Sequence, residues 1–156
     1  MEPYTKNTPY ALLVFDWDGT LIDSEDKIIA AFHATADDLG LLRPSDASIR
    51  DIIGFGISIS VRILFPNQNS HVWHRIVDRY QHYFDTAGPL KAFPEVPETL
   101  RALRKDGYLM AVATGKTRSG LEKDLLSSGL REIYFMQYVV LMKHLQNHTL
   151  GCYMRS

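Results

Sequence analysis

The stretch from Tyr10 to Phe15 (Tyr-Ala-Leu-Leu-Val-Phe) is almost continuously apolar and stops at Asp16. A run of that length and purity suits a central strand buried on both faces. Gly19 supplies a turn, and Ser24 is placed to cap a helix whose apolar stripe begins at Lys27-Ile28-Ile29-Ala30-Ala31-Phe32 and whose stop is Gly40. Ser48 is placed to cap a second helix through Ile49, Ile52 and Ile53, broken near Gly54 and Gly56; a further segment reaches Leu64 before Pro66. Val72, Trp73, Ile76, Tyr80 and Phe84 recur with a helical rhythm. Past the Gly88-Pro89 break and Phe93-Pro94, a helix from Pro97 to Lys105 carries Leu100 and Leu103 and ends at Asp106-Gly107. Tyr108 to Ala113 is the second buried-strand segment; Thr114-Gly115-Lys116 follows, then a helix with Leu121, Leu125 and Leu126 that runs to Gly129.

The order strand, several helices, then helix-strand-helix predicts an α/β fold with a Rossmann-like parallel sheet. Too many residues separate the two strands for a simple crossover. Residues 24–89 are therefore expected to form an inserted α-helical cap, and residues 1–23 with 90–135 an incomplete α/β core. Sites in open α/β sheets form beyond the carboxyl ends of strands. Asp16 and Thr114 both stand at such ends, so one cleft can hold them.

The residues there suggest phosphoryl transfer. Asp16 is placed as a nucleophile that attacks phosphorus and becomes an aspartyl-phosphate. Asp18 is placed as the acid that protonates the leaving oxygen and then as the base that activates water. Mg²⁺, a hard cation, would take an oxygen of Asp16 and a backbone carbonyl from this turn, that of Asp18 or of Trp17. Gly19 and Thr20 would approach the phosphate, as would Thr114 with the amides of Gly115 and Lys116, expected at the start of a helix whose dipole favours anions. The Lys116 side chain adds charge or is simply solvated. Trp73, Tyr80 and Phe84 read as cap core; His71, His74 and His82 read as surface or interhelical residues without a ligand constellation.

Composition narrows this picture only a little. At 156 residues the chain has the size of one domain with a small insertion, and 46% hydrophobic with 22% charged residues is ordinary for a globular protein. A formal charge of -1 gives no case for nucleic acid or an anionic membrane. No apolar run approaches the roughly 20 residues of a membrane span. Met1 to Pro9 lacks a signal-peptide core, and the single cysteine, Cys152, has no partner for an internal disulfide. The expectation is a cytoplasmic protein, a monomer or weak dimer, acting on a small phosphorylated metabolite.

Phe15-Asp16-Trp17-Asp18-Gly19-Thr20-Leu21-Ile22-Asp23-Ser24 resembles the first signature motif of the haloacid dehalogenase (HAD) superfamily, and Ala113-Thr114-Gly115-Lys116 resembles its second. The intervening helices, with Ile52-Ile53-Gly54 and Phe93-Pro94, resemble the helical cap of the phosphoglycolate phosphatase and β-phosphoglucomutase branch. The resemblance implies a Mg²⁺-dependent phosphatase of the phosphoglycolate phosphatase kind whose cap closes over a small phosphomonoester. A sugar phosphomutase of the same branch is the close alternative. A receiver-like signalling domain also pairs Asp, Mg²⁺, Thr and Lys, but the long insertion counts against it. A non-catalytic truncated remnant is the third class.

Two further parts of the family pattern, a lysine in Lys-Pro-x-Pro and a strand-end Gly-Asp-x-x-x-Asp, do not occur after Leu130; Lys143 is followed by His144. Reading the codons of residues 136–156 in the frame that joins each third base to the next two forces Ala at Met136-Gln137, Glu at Met142-Lys143 and Leu at Cys152-Tyr153. Synonymous choices elsewhere permit Ala-Asp-Glu-Thr-Pro-Ser-Lys-Pro-His-Pro, the missing lysine motif. The expectation is a frameshift near Phe135, with 136–156 an atypical tail, an exposed sheet edge and little turnover by the chain as it stands.

Overall fold

The computed structural model describes residues 12–131 and, as backbone, the strand 137–140. The start of the first apolar run at Tyr10, the Met1 to Pro9 segment, Lys143, His144 and Cys152 lie outside the described residues.

Strand β1 (Leu12–Asp16) runs parallel to β4 (Leu109–Thr114), which runs parallel to β5 (Gln137–Val140), giving the sheet order β1-β4-β5. The parallel α/β architecture expected from the element order is present. In register, Asp16 lies opposite Ala113, so β4 runs one residue past the end of β1 and places Thr114 just beyond it. The expectation of a β1 buried on both faces fails: Leu12 is 47% and Val14 55% exposed. Among the described residues β1 pairs with β4 alone, and the face carrying these two residues lacks full cover. The third strand comes from the segment read as an unrelated tail, where Tyr138-Val139-Val140 has the β-branched and aromatic composition that strands favour.

The chain leaves the sheet through β2 (Ile22–Asp23) and returns through β3 (Lys91–Ala92); these short strands pair antiparallel, Ile22 with Ala92 and Asp23 with Lys91. Between them lie α1 (Glu25–Asp38), α2 (Asp46–Arg50), α3 (Ile57–Leu64) and α4 (Ser70–Thr86). Helices α1 and α4 pack through Phe32 and Tyr80, whose ring centres are 4.4 Å apart. Tyr80 in turn stacks on Phe84 at 5.7 Å. Ile28, Phe32, Ile76 and Phe84 are buried, in keeping with the helical periodicity of both segments.

Two capping expectations change. Ser24 occupies the N-cap position of α1 but makes no cap bond, because its hydroxyl is drawn to Asp18 instead. Helix α2 is capped by Ser45, which accepts from the Ser48 amide at 3.1 Å, and it ends at Arg50, short of Ile52 and Ile53. After the cap, α5 (Val96–Lys105) buries Leu100, and α6 (Arg118–Ser127) buries Leu121 and Leu125 while Leu126 is 57% exposed.

Candidate active site

The turn after β1 is built by the carbonyl of Trp17, which accepts from the amides of Leu21 and Ile22, each at 3.0 Å. That carbonyl is committed to the turn. Gly19 bends the chain at φ +76, and its amide donates to the Ile22 carbonyl at 2.9 Å. The Trp17 side chain is fully buried, and Gly19 and Thr20 are exposed at the rim.

The two motif carboxylates have different surroundings. Asp16 is exposed; its Oδ1 accepts from the Trp17 amide at 2.8 Å and its Oδ2 faces Gly54 of the cap. Asp18 is 8% exposed. Its Oδ1 accepts from the Ser24 hydroxyl at 2.8 Å, and its Oδ2 stands 3.4 Å from Lys116 Nζ.

Thr114 is buried at the end of β4, and its hydroxyl accepts from the Lys116 amide at 3.3 Å. Contrary to expectation, Gly115 and Lys116 precede the helix start: Thr117 is the N-cap of α6, accepting from the Gly120 amide at 3.1 Å. The Lys116 side chain is not solvated. Its ammonium reaches Asp124 Oδ2 at 3.0 Å as well as Asp18, and lies 4.6 Å from the centre of the Phe84 ring. Burial works against that charge, but Asp18 and Asp124 outweigh it and hold the ammonium above its ordinary pKa. Burial raises the Asp124 carboxyl despite the opposing pull of Lys116 and of the Trp17 indole. Burial also lifts the Tyr80 phenol, with Asp18 and Asp124 adding to the shift.

The loop between α2 and α3 packs tightly on Gly115. A Cβ added to Gly115 would lie 2.5 Å from the Gly56 amide nitrogen and 2.6 Å from the Phe55 carbonyl carbon. Only glycine permits that approach. Beside the contact is a cavity of about 100 Å³ lined in part by Asp18, Phe84, Lys116, Lys123 and Asp124. Tyr80 and Phe84, read as cap core, thus also wall the cavity. Asp16, Gly19, Thr20 and Thr114 are not part of its wall; Gly115 is.

Asp124 escaped the sequence reading, although a signal existed. It lies on α6 between Leu121 and Leu125, and a carboxylate on an apolar stripe needs a partner. Its partners are Lys116 and the Trp17 indole N–H, which donates at 3.2 Å.

The carboxylate of Asp16, exposed at the end of β1, is the kind of hard oxygen ligand that Mg²⁺ takes while keeping several waters. No cluster of three His, Cys, Asp or Glu side chains suited to a metal occurs among the described residues. No helix among them is long and apolar enough to cross a membrane.

Comparison with known proteins agrees with this geometry. The model of the haloacid dehalogenase-like hydrolases matches residues 13–149, which includes much of the segment read as a tail. A phosphoglycolate phosphatase of Aquifex aeolicus is 30% identical over 116 residues, covering 74% of this chain and 53% of that protein. A plasmid-encoded phosphoglycolate phosphatase of Cupriavidus necator is 31% identical over 133 residues, covering 82% and 58%. The crystal structure of a predicted phosphoglycolate phosphatase from Haemophilus somnus 129PT superimposes with a TM-score of 0.77 at 21% identity, covering 91% of this chain and 67% of that one. The chain thus spans little more than half the length of these two curated relatives. With the strand-end carboxylates, the facing Thr114 loop and the family match all in agreement, the chain belongs to the haloacid dehalogenase-like hydrolases.

Proposed function

We propose that this site hydrolyses a small phosphomonoester, of the phosphoglycolate kind, through a phosphoryl group carried on Asp16. The observation that supports it most is the register that ends β1 at Asp16 beside Ala113 of β4, together with the Lys116 ammonium 3.4 Å from Asp18. Asp16 attacks phosphorus, the ester oxygen leaves, and Asp18 gives it a proton. Asp18 then takes a proton from water, which attacks the aspartyl-phosphate and frees Asp16. Ser24 holds one Asp18 oxygen, so the other faces Lys116 and the cavity. The Thr114 hydroxyl and the Gly115 and Lys116 amides hold phosphoryl oxygens, with Gly19 and Thr20 at the rim. Asp16 and the Asp18 carbonyl would hold Mg²⁺, which when bound would supply positive charge against the phosphoryl oxygens.

The Gly54–Gly56 loop leaves no space over Gly115, so substrate enters with the loop withdrawn. Lys116 offsets the charge of Asp18 but is shared with Asp124, and the sequence contains neither the family's Lys-Pro-x-Pro lysine nor its distal acids. We therefore assign the 156-residue chain slow turnover and weak Mg²⁺ affinity. On this reading residues 24–89 are the closing cap, residues 1–23 and 90–135 the α/β core, and residues 136–156 the product of a shifted frame.

The test is phosphate release with Mg²⁺ from a panel of small phosphomonoesters, phosphoglycolate included, by this chain and by the product of the alternate frame. The expected result is slow release by the first and rapid release by the second, with phosphoglycolate preferred over sugar phosphates. Rapid release by the 156-residue chain overturns its impairment. Absence of release by both overturns the phosphatase reading, and a coding sequence whose alternate frame lacks Lys-Pro-His-Pro overturns the frameshift.

A further inference from the structure

We infer that Asp124 is a positioning residue: braced by the Trp17 indole, it anchors the Lys116 ammonium beside Asp18 and keeps it available to an incoming phosphoryl group. This rests on the phosphoryl-transfer reading above.

Lys116 Nζ lies between two enclosed carboxylates, 3.0 Å from Asp124 Oδ2 and 3.4 Å from Asp18 Oδ2. Attraction between opposite charges rises as their separation falls, so Asp124 has the firmer hold. The same Asp124 oxygen accepts the Trp17 indole N–H at 3.2 Å. Trp17 is fully buried and sits between Asp16 and Asp18 in the chain, so its ring fixes Asp124 to the turn that carries both reacting carboxylates. The Phe84 ring, 4.6 Å from Nζ, bounds the ammonium from the cap side.

A lysine stem is flexible. Released from Asp124, the ammonium would settle on Asp18 alone, tying up the carboxylate that has to move a proton and withdrawing charge from the phosphate. Two roles for Asp124 therefore predict opposite signs. If it acts only as a nearby negative charge, removing that charge tightens phosphate binding. If it anchors Lys116, removing it weakens phosphate binding.

The experiment uses the full 156-residue chain labelled with ¹⁵N, in two arms. Without phosphate, the Trp17 indole N–H resonance is compared in wild type, Asp124→Asn and Lys116→Met. Trp73, whose indole donates to the Phe65 carbonyl at 2.8 Å, is the internal reference. Both substitutions are expected to move the Trp17 resonance and leave Trp73 in place; a Trp17 resonance indifferent to Lys116→Met overturns the anchor. In the second arm inorganic phosphate is titrated in the presence of Mg²⁺. Each single variant is expected to bind phosphate about tenfold more weakly, and the double variant no more weakly than either, because one residue acts through the other. Tighter or unchanged binding by Asp124→Asn, or additive losses in the double variant, overturns the inference while leaving the site reading intact. A wild-type chain that binds no phosphate contradicts the site reading itself, and the inference falls with it.

Discussion

The junction of helices α1–α4 with the sheet end and the outer face of β1 stand at opposite extremes of finish. At the junction Gly56 lies on Gly115, Ser24 and Lys116 hold Asp18, and Asp124 links Lys116 to Trp17. Among the described residues no buried side-chain polar atom there or elsewhere lacks a partner. On β1, Leu12 and Val14 are about half exposed. Site geometry and sheet cover are therefore separable. The polar network depends on contacts that the cap, β1, β4 and α6 make among themselves, whereas stability depends also on what covers the sheet.

Substitutions in the two regions should differ accordingly. Phe32→Ala removes a ring that is 1% exposed and packed on Tyr80, and is expected to cost about 3–5 kcal/mol, read by denaturant unfolding. In a chain with a partly covered sheet that loss leaves little folded protein; a cost near zero would mean the cap core is not formed as described. Gly115→Ala comes next. Its methyl meets backbone that no side-chain rotation can clear, so the cap has to back away at about 1–3 kcal/mol, with faster amide exchange at Gly56. Unchanged exchange would show that the junction is open in solution.

On the other side of the comparison, Val14→Thr should stay within about 0.5 kcal/mol of wild type and reduce self-association in sedimentation. A loss as large as that of Phe32→Ala would show that the β1 face is covered after all. The smallest effect belongs to the exposed pair Arg43–Asp37, where the Arg43 hydrogen bond holds the Asp37 carboxyl below its ordinary value of 3.8. A lowered carboxyl contributes its stability above the ordinary pKa and loses it as pH falls through the lowered one. Arg43→Ala should therefore lower the melting temperature slightly at neutral pH and not at all at strongly acid pH, and the difference should vanish in high salt.

The parts of this molecule legible in the sequence are those encoded by local pattern. The apolar runs ending at Asp16 and Thr114 announced two strands and their carboxyl ends, and the periodicity of Ile28, Phe32, Ile76 and Phe84 announced the packed faces of α1 and α4. What was not legible depends on partners distant in the chain. Ser24 looks like an ordinary helix cap until Asp18 competes for its hydroxyl. Whether Lys116 adds charge to the site or is solvated is not legible until Asp124, on the next helix, is seen beside it. The exposure of Leu12 and Val14 could not be read from their own composition, because an apolar strand implies a cover without supplying it.

The central claim is that Asp16 is the group that receives phosphate. Incubating the chain with Mg²⁺ and acetyl phosphate, a reactive phosphoryl donor, and mapping the product by mass spectrometry tests it most directly. One hydroxylamine-sensitive phosphoryl group is expected on the peptide containing Asp16, absent from Asp16→Asn and present in Ser24→Ala. A phosphoryl group on another residue, or labelling unchanged in Asp16→Asn, would contradict it.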